Sequence, residues 1–306
     1  MNDQATTMCR SSATGTLEIE YPELLSDTTI EETGWQAVNS ARCIAVTSGK
    51  GGVGKSNFAV NVALELGSLG NRVSLLDADF GLANIDLLCG VSPKFHLGHV
   101  ITGNKDLEDV AVEIGENVHL IPGGSGIEEL ANISLIKNTL LLAKLRKLQE
   151  TSDFMVIDTA AGIAENVSGV LRAASEIIVV TTPDPTSVVN AYATIKVIVR
   201  NSPAKQISII VNNVVGVGEA EQVFQQLKTA ANKFLQHKIE FLGMIPHDLV
   251  VSEAVRDQNP VVKHSPSTPA SRAIRLIARQ LHKQLHHGFA YPMEAQSFWH
   301  LLSENN

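Results

Sequence analysis

CIAVTSGKGGVGKSN, residues 43–57, is the stretch whose reading decides the fold. It opens as a short apolar run rich in β-branched residues and turns abruptly glycine-rich, and a helical pattern follows. Gly49, Lys50, Gly51, Gly52, Val53, Gly54, Lys55 and Ser56 satisfy G-x-x-x-x-G-K-[ST] in the strand–loop–helix setting that this motif requires. Glycines let successive backbone N–H groups turn inward around a phosphate, and the start of the next helix adds its positive end. Lys55 can reach β- and γ-phosphates. The Ser56 hydroxyl can take one Mg²⁺ position, since Mg²⁺ prefers oxygen ligands. A glycine-rich turn with a solvated lysine is the plain alternative, and the flanking strand and helix argue against it. Lys50 is surplus to such a loop, because Lys55 already serves the phosphates. It either stays in solvent or reaches a phosphate bound by another subunit.

Outward from this loop the chain alternates apolar runs with helical patterns. The runs are 43–48, 72–79, 117–123, 154–160, 176–182, 206–213 and 240–246. Most are continuously apolar, as expected of strands covered on both faces. Helical patterns occupy 56–69, 134–149, 186–200 and 219–235. This order predicts an α/β fold, a doubly wound and mostly parallel sheet of about seven or eight strands with helices on both faces. The predicted divisions are a tail over 1–40, a phosphate-loop domain over 41–270 and a C-terminal segment over 271–306.

Composition narrows the function classes. The 24 Lys and Arg against 32 Asp and Glu give a net charge of -8, so bulk charge offers no argument for nucleic acid. Residues 1–40 hold seven acids and one base, are rich in Ser and Thr, and read as a largely disordered tail. Cys9, Cys43 and Cys89 form no CxxC and no disulfide framework, which fits a reducing cytosol. No apolar run approaches the length of about 18 residues that a membrane span needs, and no signal peptide is expected.

Three aspartates end apolar runs, where parallel sheets form their ligand crevices. Asp77 and Asp79 close the second run, two apart, and Asp158 closes FMVID. Phosphoryl transfer needs Mg²⁺ held and a water aimed at the γ-phosphate. A strand-end aspartate can do the first through water and a neighbour the second, unless they cap the next turn.

With these pieces placed, the chain resembles the MinD/ParA-type deviant Walker A ATPases. VTSGKGGVGKS carries their extra lysine, LLDADFGLANIDLL resembles their first switch, and VIDTAAGI their Walker B and second switch. Within that class it most resembles the flagellar number regulators of the FlhG (FleN, YlxH) family, through LLDADFGLANIDLLCGVSPK, HLIPGGSG and VTTPDPTSVVNAYATIK. The resemblance implies ATP/ADP and Mg²⁺ as cofactors, bound by the loop from Gly49 to Asn57. Lys50 would complete the partner subunit's site, so that two ATP molecules hold a homodimer. Asp79 would position the attacking water and contribute to the metal site with Ser56 and Asp158. Asp77 would support that switch. Asn212 would read the adenine edge, although its amide could equally cap a turn. Pro246 and Asp248 would flank the base. No arginine stands out as a finger for the γ-phosphate, which predicts weak hydrolysis that resets a dimer to monomers.

The resemblance also implies partners. DQATTM (residues 3–8) resembles the DQA element that contacts an FlhF-type GTPase, with Cys9 where an arginine is expected. A FleQ-type transcription activator or flagellar switch-ring proteins are the other implied partners. Residues 271–288 contain no acid, and Ile274, Ile277, Ala278, Leu281 and Leu285 share one helical face, with Arg272, Arg275, Arg279 and Lys283 largely elsewhere. The first half reads as a last helix packed on the sheet with its basic side in water. The apolar FWHLL (298–302) suggests membrane association, placing the protein in the cytoplasm and, with ATP, at the inner face of the cell membrane. The alternatives are a MinD-like division-site ATPase and a ParA-type DNA-partitioning ATPase. Acidic balance weighs against direct DNA binding. Pro183 and Pro185 in TTPDPT shape the crevice, with Thr186 as a cap for the helix that follows.

Overall fold

In the computed structural model of the chain, residues 41–80, 83–124, 139–162 and 164–286 are described. The strands are β1 (Arg42–Thr47), β2 (Val73–Ala78), β3 (Val112–Gly115), β4 (Val118–Ile121), β5 (Phe154–Thr159), β6 (Glu176–Thr181), β7 (Gln206–Val214) and β8 (Glu240–Pro246). They form one eight-stranded sheet in the order β3-β4-β2-β5-β1-β6-β7-β8. Every neighbouring pair is parallel except β3 with β4. The doubly wound expectation holds, and seven of the eight strands fall on the seven apolar runs. β3 was not anticipated. It is a four-residue antiparallel edge strand with a half-exposed pattern, too short and too polar to stand out.

β1, β2, β5 and β6 are buried along their whole length, which is why their runs are apolar without alternation. The helices are α1 (Lys55–Ser68), α2 (Ile85–Cys89), α3 (Leu97–Ile101), α4 (Leu107–Val110), α5 (Thr139–Thr151), α6 (Glu165–Ala173), α7 (Pro185–Asn201), α8 (Val217–Ala230), α9 (Leu249–Arg256), α10 (Val261–His264) and α11 (Pro269–His286). The helix expected over 219–235 ends differently: its last five residues, Ala231–Leu235, form a π-helical turn.

α11 packs on α1 and β8. Ile274, Ile277, Ala278 and Leu281 are buried there, and each of the three larger ones contributes about 1.5–3 kcal/mol. The packed reading of this helix therefore holds. One detail departs from it: Arg275 is not turned wholly to water but forms a two-bonded ion pair with Glu65 of α1, at 3.0 and 3.1 Å. The far end of α11 is tied from below. Buried Arg42 donates to the Leu281 carbonyl at 2.8 Å, to Gln284 at 2.8 Å and to Glu176 at 2.5 Å. The tail over 1–40, including the DQA element, and the segment 287–306 lie outside the described residues. No helix among the described residues is long and apolar enough to cross a membrane.

Candidate nucleotide site

β1 sits between β5 and β6 in the middle of the sheet and delivers the loop 48–54 to its C-terminal edge. Gly54 caps α1 with φ 88°, the left-handed region that favours glycine. No side chain caps this helix and its first turn holds no acid, so its positive end faces the loop uncompensated. The loop is held from several sides. The Ser48 hydroxyl donates to the Lys50 carbonyl at 3.0 Å, and Gly162 N–H, beyond β5, donates to the Ser48 carbonyl at 2.8 Å. Gly49 abuts the Asn190 backbone on α7. Asn212 Nδ2 donates to the Val53 carbonyl at 2.8 Å, and Asn57 accepts from Asn61. Gly51 and Gly52 remain exposed.

Under the loop lies a charge cluster. Lys55, 7% exposed, donates to Asp158 Oδ1 at 2.7 Å and to Ser56 Oγ at 3.2 Å. Asp158 is fully buried, and its Oδ2 accepts no hydrogen bond of ordinary geometry. Burial raises the Asp158 carboxyl, against the opposing pull of Lys55. In register beside it on β2 is Asp77, pushed up to about 7 by burial first and by the Asp158 charge second. Asp77 accepts from the Asp79 and Ile85 backbone N–H groups at 3.1 and 3.3 Å, so it shapes the turn out of β2 and caps the approach to α2. Asp79 was expected to close the strand. It lies one residue beyond β2 and is half-buried, close enough for its charge to act on Asp158. The donors gathered here are hard oxygens: the Ser56 hydroxyl, the unengaged Asp158 oxygen and the Asp79 carboxylate. That set suits Mg²⁺, and the glycine loop before a bare helix N-terminus suits a nucleotide's phosphates.

Asn212, Pro246 and Asp248 come together at the ends of β7 and β8. Asn212 Oδ1 accepts Asn213 N–H at 2.9 Å; with Nδ2 on Val53, the amide keeps one hydrogen and one lone pair for a base edge. Asp248 is committed elsewhere. Its oxygens accept from Val250 and Ala270 N–H at 3.1 and 3.2 Å, capping α9 and fastening the start of α11, so what it offers a base is the loop it anchors.

Lys50 stays on the exposed side of the loop but is not left without a partner. Its Nζ donates to Asp184 Oδ2 and to Thr186 Oγ1, both at 2.9 Å. Asp184, rather than Thr186, is the N-cap of α7; its Oδ1 accepts Thr186 N–H at 2.7 Å. The sequence held a signal for this, since an aspartate directly before a proline marks a helix start with Pro at N1. It held none for the pairing with a lysine 134 positions away. Cys43 and Cys89 are packing residues, their thiols raised by burial.

Comparison with known proteins agrees with this geometry. Residues 39–282 match the ParA family, described as NUBPL iron-transfer P-loop NTPase. The antiactivator FleN of Pseudomonas aeruginosa is 37% identical over 245 residues, 80% of this chain and 88% of that protein. The flagellum site-determining protein YlxH of Helicobacter pylori is 34% identical over 250 residues, 81% of this chain and 84% of that one. Among solved structures, the septum site-determining protein MinD of Pyrococcus horikoshii, complexed with Mg-ADP, superposes with a TM-score of 0.67 at 26% identity, covering 79% of this chain and 96% of that one. Fold, phosphate loop and relatives coincide, and the chain belongs to the ParA/MinD family of P-loop NTPases.

Proposed function

We propose that this protein is an ATP-driven dimer switch that controls flagellar number or placement. One observation carries the switch: beside Lys55 the loop holds a second lysine, Lys50, whose ammonium lies on the exposed side at Asp184. A cation there serves a neighbouring subunit's nucleotide. In the ATP state Lys55 leaves Asp158 for the phosphates, and Asp79, with Asp77 fixing its backbone, orients the attacking water. Mg²⁺, when bound by Ser56 and Asp158, with Asp79 at its edge, would neutralise charge on the phosphate oxygens. Hydrolysis is slow and returns the dimer to monomers. Asn212 and the loop around Pro246 and Asp248 border the adenine.

The flagellar direction is supported by the FleN and YlxH relatives, against 29% identity to the MinD of Bacillus subtilis. The partners on this reading are an FlhF-type GTPase at the N-terminal element, and a FleQ-type activator or switch-ring proteins on the dimer. The segment past α11 meets the inner face of the cell membrane. Light scattering during size-exclusion chromatography tests the switch: ATP should double the mass of the wild type and leave Lys50→Ala monomeric. Unchanged dimerisation of Lys50→Ala removes the mechanism. A pull-down with the ATP-locked Asp79→Ala variant tests the direction; recovery of division proteins instead of flagellar ones favours a MinD-like role.

A further inference from the structure

We propose that Asn213 and His247 are positioning residues that aim the Asn212 amide, and that they set a preference for 6-amino over 6-oxo purine nucleotides. This rests on the adenine reading above. The device is a bulge in β7. Asn212 pairs with Ile245 of β8 and Val214 with Pro246, so two steps along β7 match one along β8, and Asn213 is the extra residue. Its φ of 61° lies in the left-handed region, which asparagine tolerates better than most residues. A bulge bends its strand and re-aims the side chain beside it.

His247 closes this bulge at two points. Its backbone N–H donates to the Val214 carbonyl at 2.8 Å, and its Nδ1–H donates to Asn213 Oδ1 at 2.6 Å. Between these two points the Asn213 backbone N–H donates to Asn212 Oδ1 at 2.9 Å. Asn212 Nδ2 is fixed on the Val53 carbonyl at 2.8 Å. Together the last two bonds settle which end of the amide is which, and they leave it one N–H and one oxygen lone pair. Adenine offers the matching pair on one edge, the N7 acceptor and the N6 donor. A 6-oxo purine offers two acceptors there, so its O6 would meet the Asn212 oxygen with no proton between them. Discrimination therefore depends on keeping the amide from turning over. His247 does this through Asn213, not by contact with the base.

Asn213 and His247 are both exposed, so the clamp tunes selectivity and does not hold the fold. Isothermal titration calorimetry with the full chain and Mg²⁺ tests it, using adenosine diphosphate and its 6-oxo counterpart, inosine diphosphate. Diphosphates keep hydrolysis and ATP-driven pairing out of the measurement. Wild type should bind the adenosine nucleotide more tightly. His247→Ala should weaken that binding about two- to tenfold, the value of one hydrogen bond, and leave the inosine nucleotide unchanged. Asn213→Gly keeps the left-handed backbone and deletes the acceptor. It should lower the selectivity by a similar factor, and the double variant should be no worse than either single one.

A wild-type selectivity in His247→Ala or in Asn213→Gly overturns the inference, whether both nucleotides weaken equally or neither does, because a merely structural role moves the two together. Asn212→Ala separates this failure from that of the reading beneath it. Its preference for the adenosine nucleotide should vanish. If the preference persists there, the adenine reading of Asn212 falls and the inference falls with it.

Discussion

Gly54→Ala should separate two costs that the loop combines. Gly54 has φ 88°, and a residue with a Cβ loses roughly 1–2 kcal/mol there. A Cβ on Gly54 would also stand 2.3 Å from Asn212 Nδ2. That amide would have to leave the Val53 carbonyl it holds at 2.8 Å, forfeiting about 0.5–1.5 kcal/mol more. The total is about 1.5–3.5 kcal/mol, which for a domain of this size lowers Tm by about 3–14 °C. Gly52→Ala is the matched control. Its φ is 79° and nothing lies within 4 Å of the added Cβ, so only the conformational cost of roughly 1–2 kcal/mol applies. The assay is thermal unfolding of nucleotide-free protein by circular dichroism, with binding of a fluorescent ATP analogue alongside. Gly54→Ala should melt below Gly52→Ala, and adding Asn212→Ala to Gly54→Ala should cost less than it costs wild type. If the two glycine variants melt together and the Asn212 effects simply add, Asn212 does not brace the loop.

Arg42→Met should cost about 3–5 kcal/mol in urea unfolding, because it strands the 2%-exposed Glu176 without its partner. The double replacement Arg42→Met with Glu176→Met should recover much of that loss. The pH dependence of nucleotide-free stability should carry the Asp77 signature. Its folded value is about 7 against 3.8 in the unfolded chain, so the folded state holds more protons between those limits and stability falls as pH rises through them. Asp77→Asn should flatten that fall, as measured by chemical denaturation at pH 5 and pH 8. Asp248→Ala should lose roughly 1–2 kcal/mol, since it removes the caps on Val250 and Ala270 N–H. If Tm is unchanged and ATP binding falls, Asp248 acts on the base rather than on the helices.

How much of this was legible in advance follows from where each signal resides. The phosphate loop is readable because its geometry is local: eight consecutive residues carry the turn, the cradle and the first two residues of α1. The central strands are readable because burial on both faces forces unbroken apolar runs, and Asp77, Asp79 and Asp158 are readable because they end or directly follow such runs. β3 escaped because an edge strand of four half-exposed residues has neither length nor pattern. The turn at 231–235 escaped because helical periodicity does not distinguish an α from a π repeat over five residues.

Taken alone, the chain determined its fold class, its phosphate-loop motif and which carboxylates stand at the ends of its apolar runs, since each rests on neighbours in sequence. Tertiary structure decided the partners. It placed β1 between β5 and β6, setting Lys55 on Asp158, Arg42 on Glu176 and Asn212 under the loop. It also brought the start of α7 against Lys50. These contacts span more than 100 residues, and strand order, which no local pattern encodes, brings their ends together.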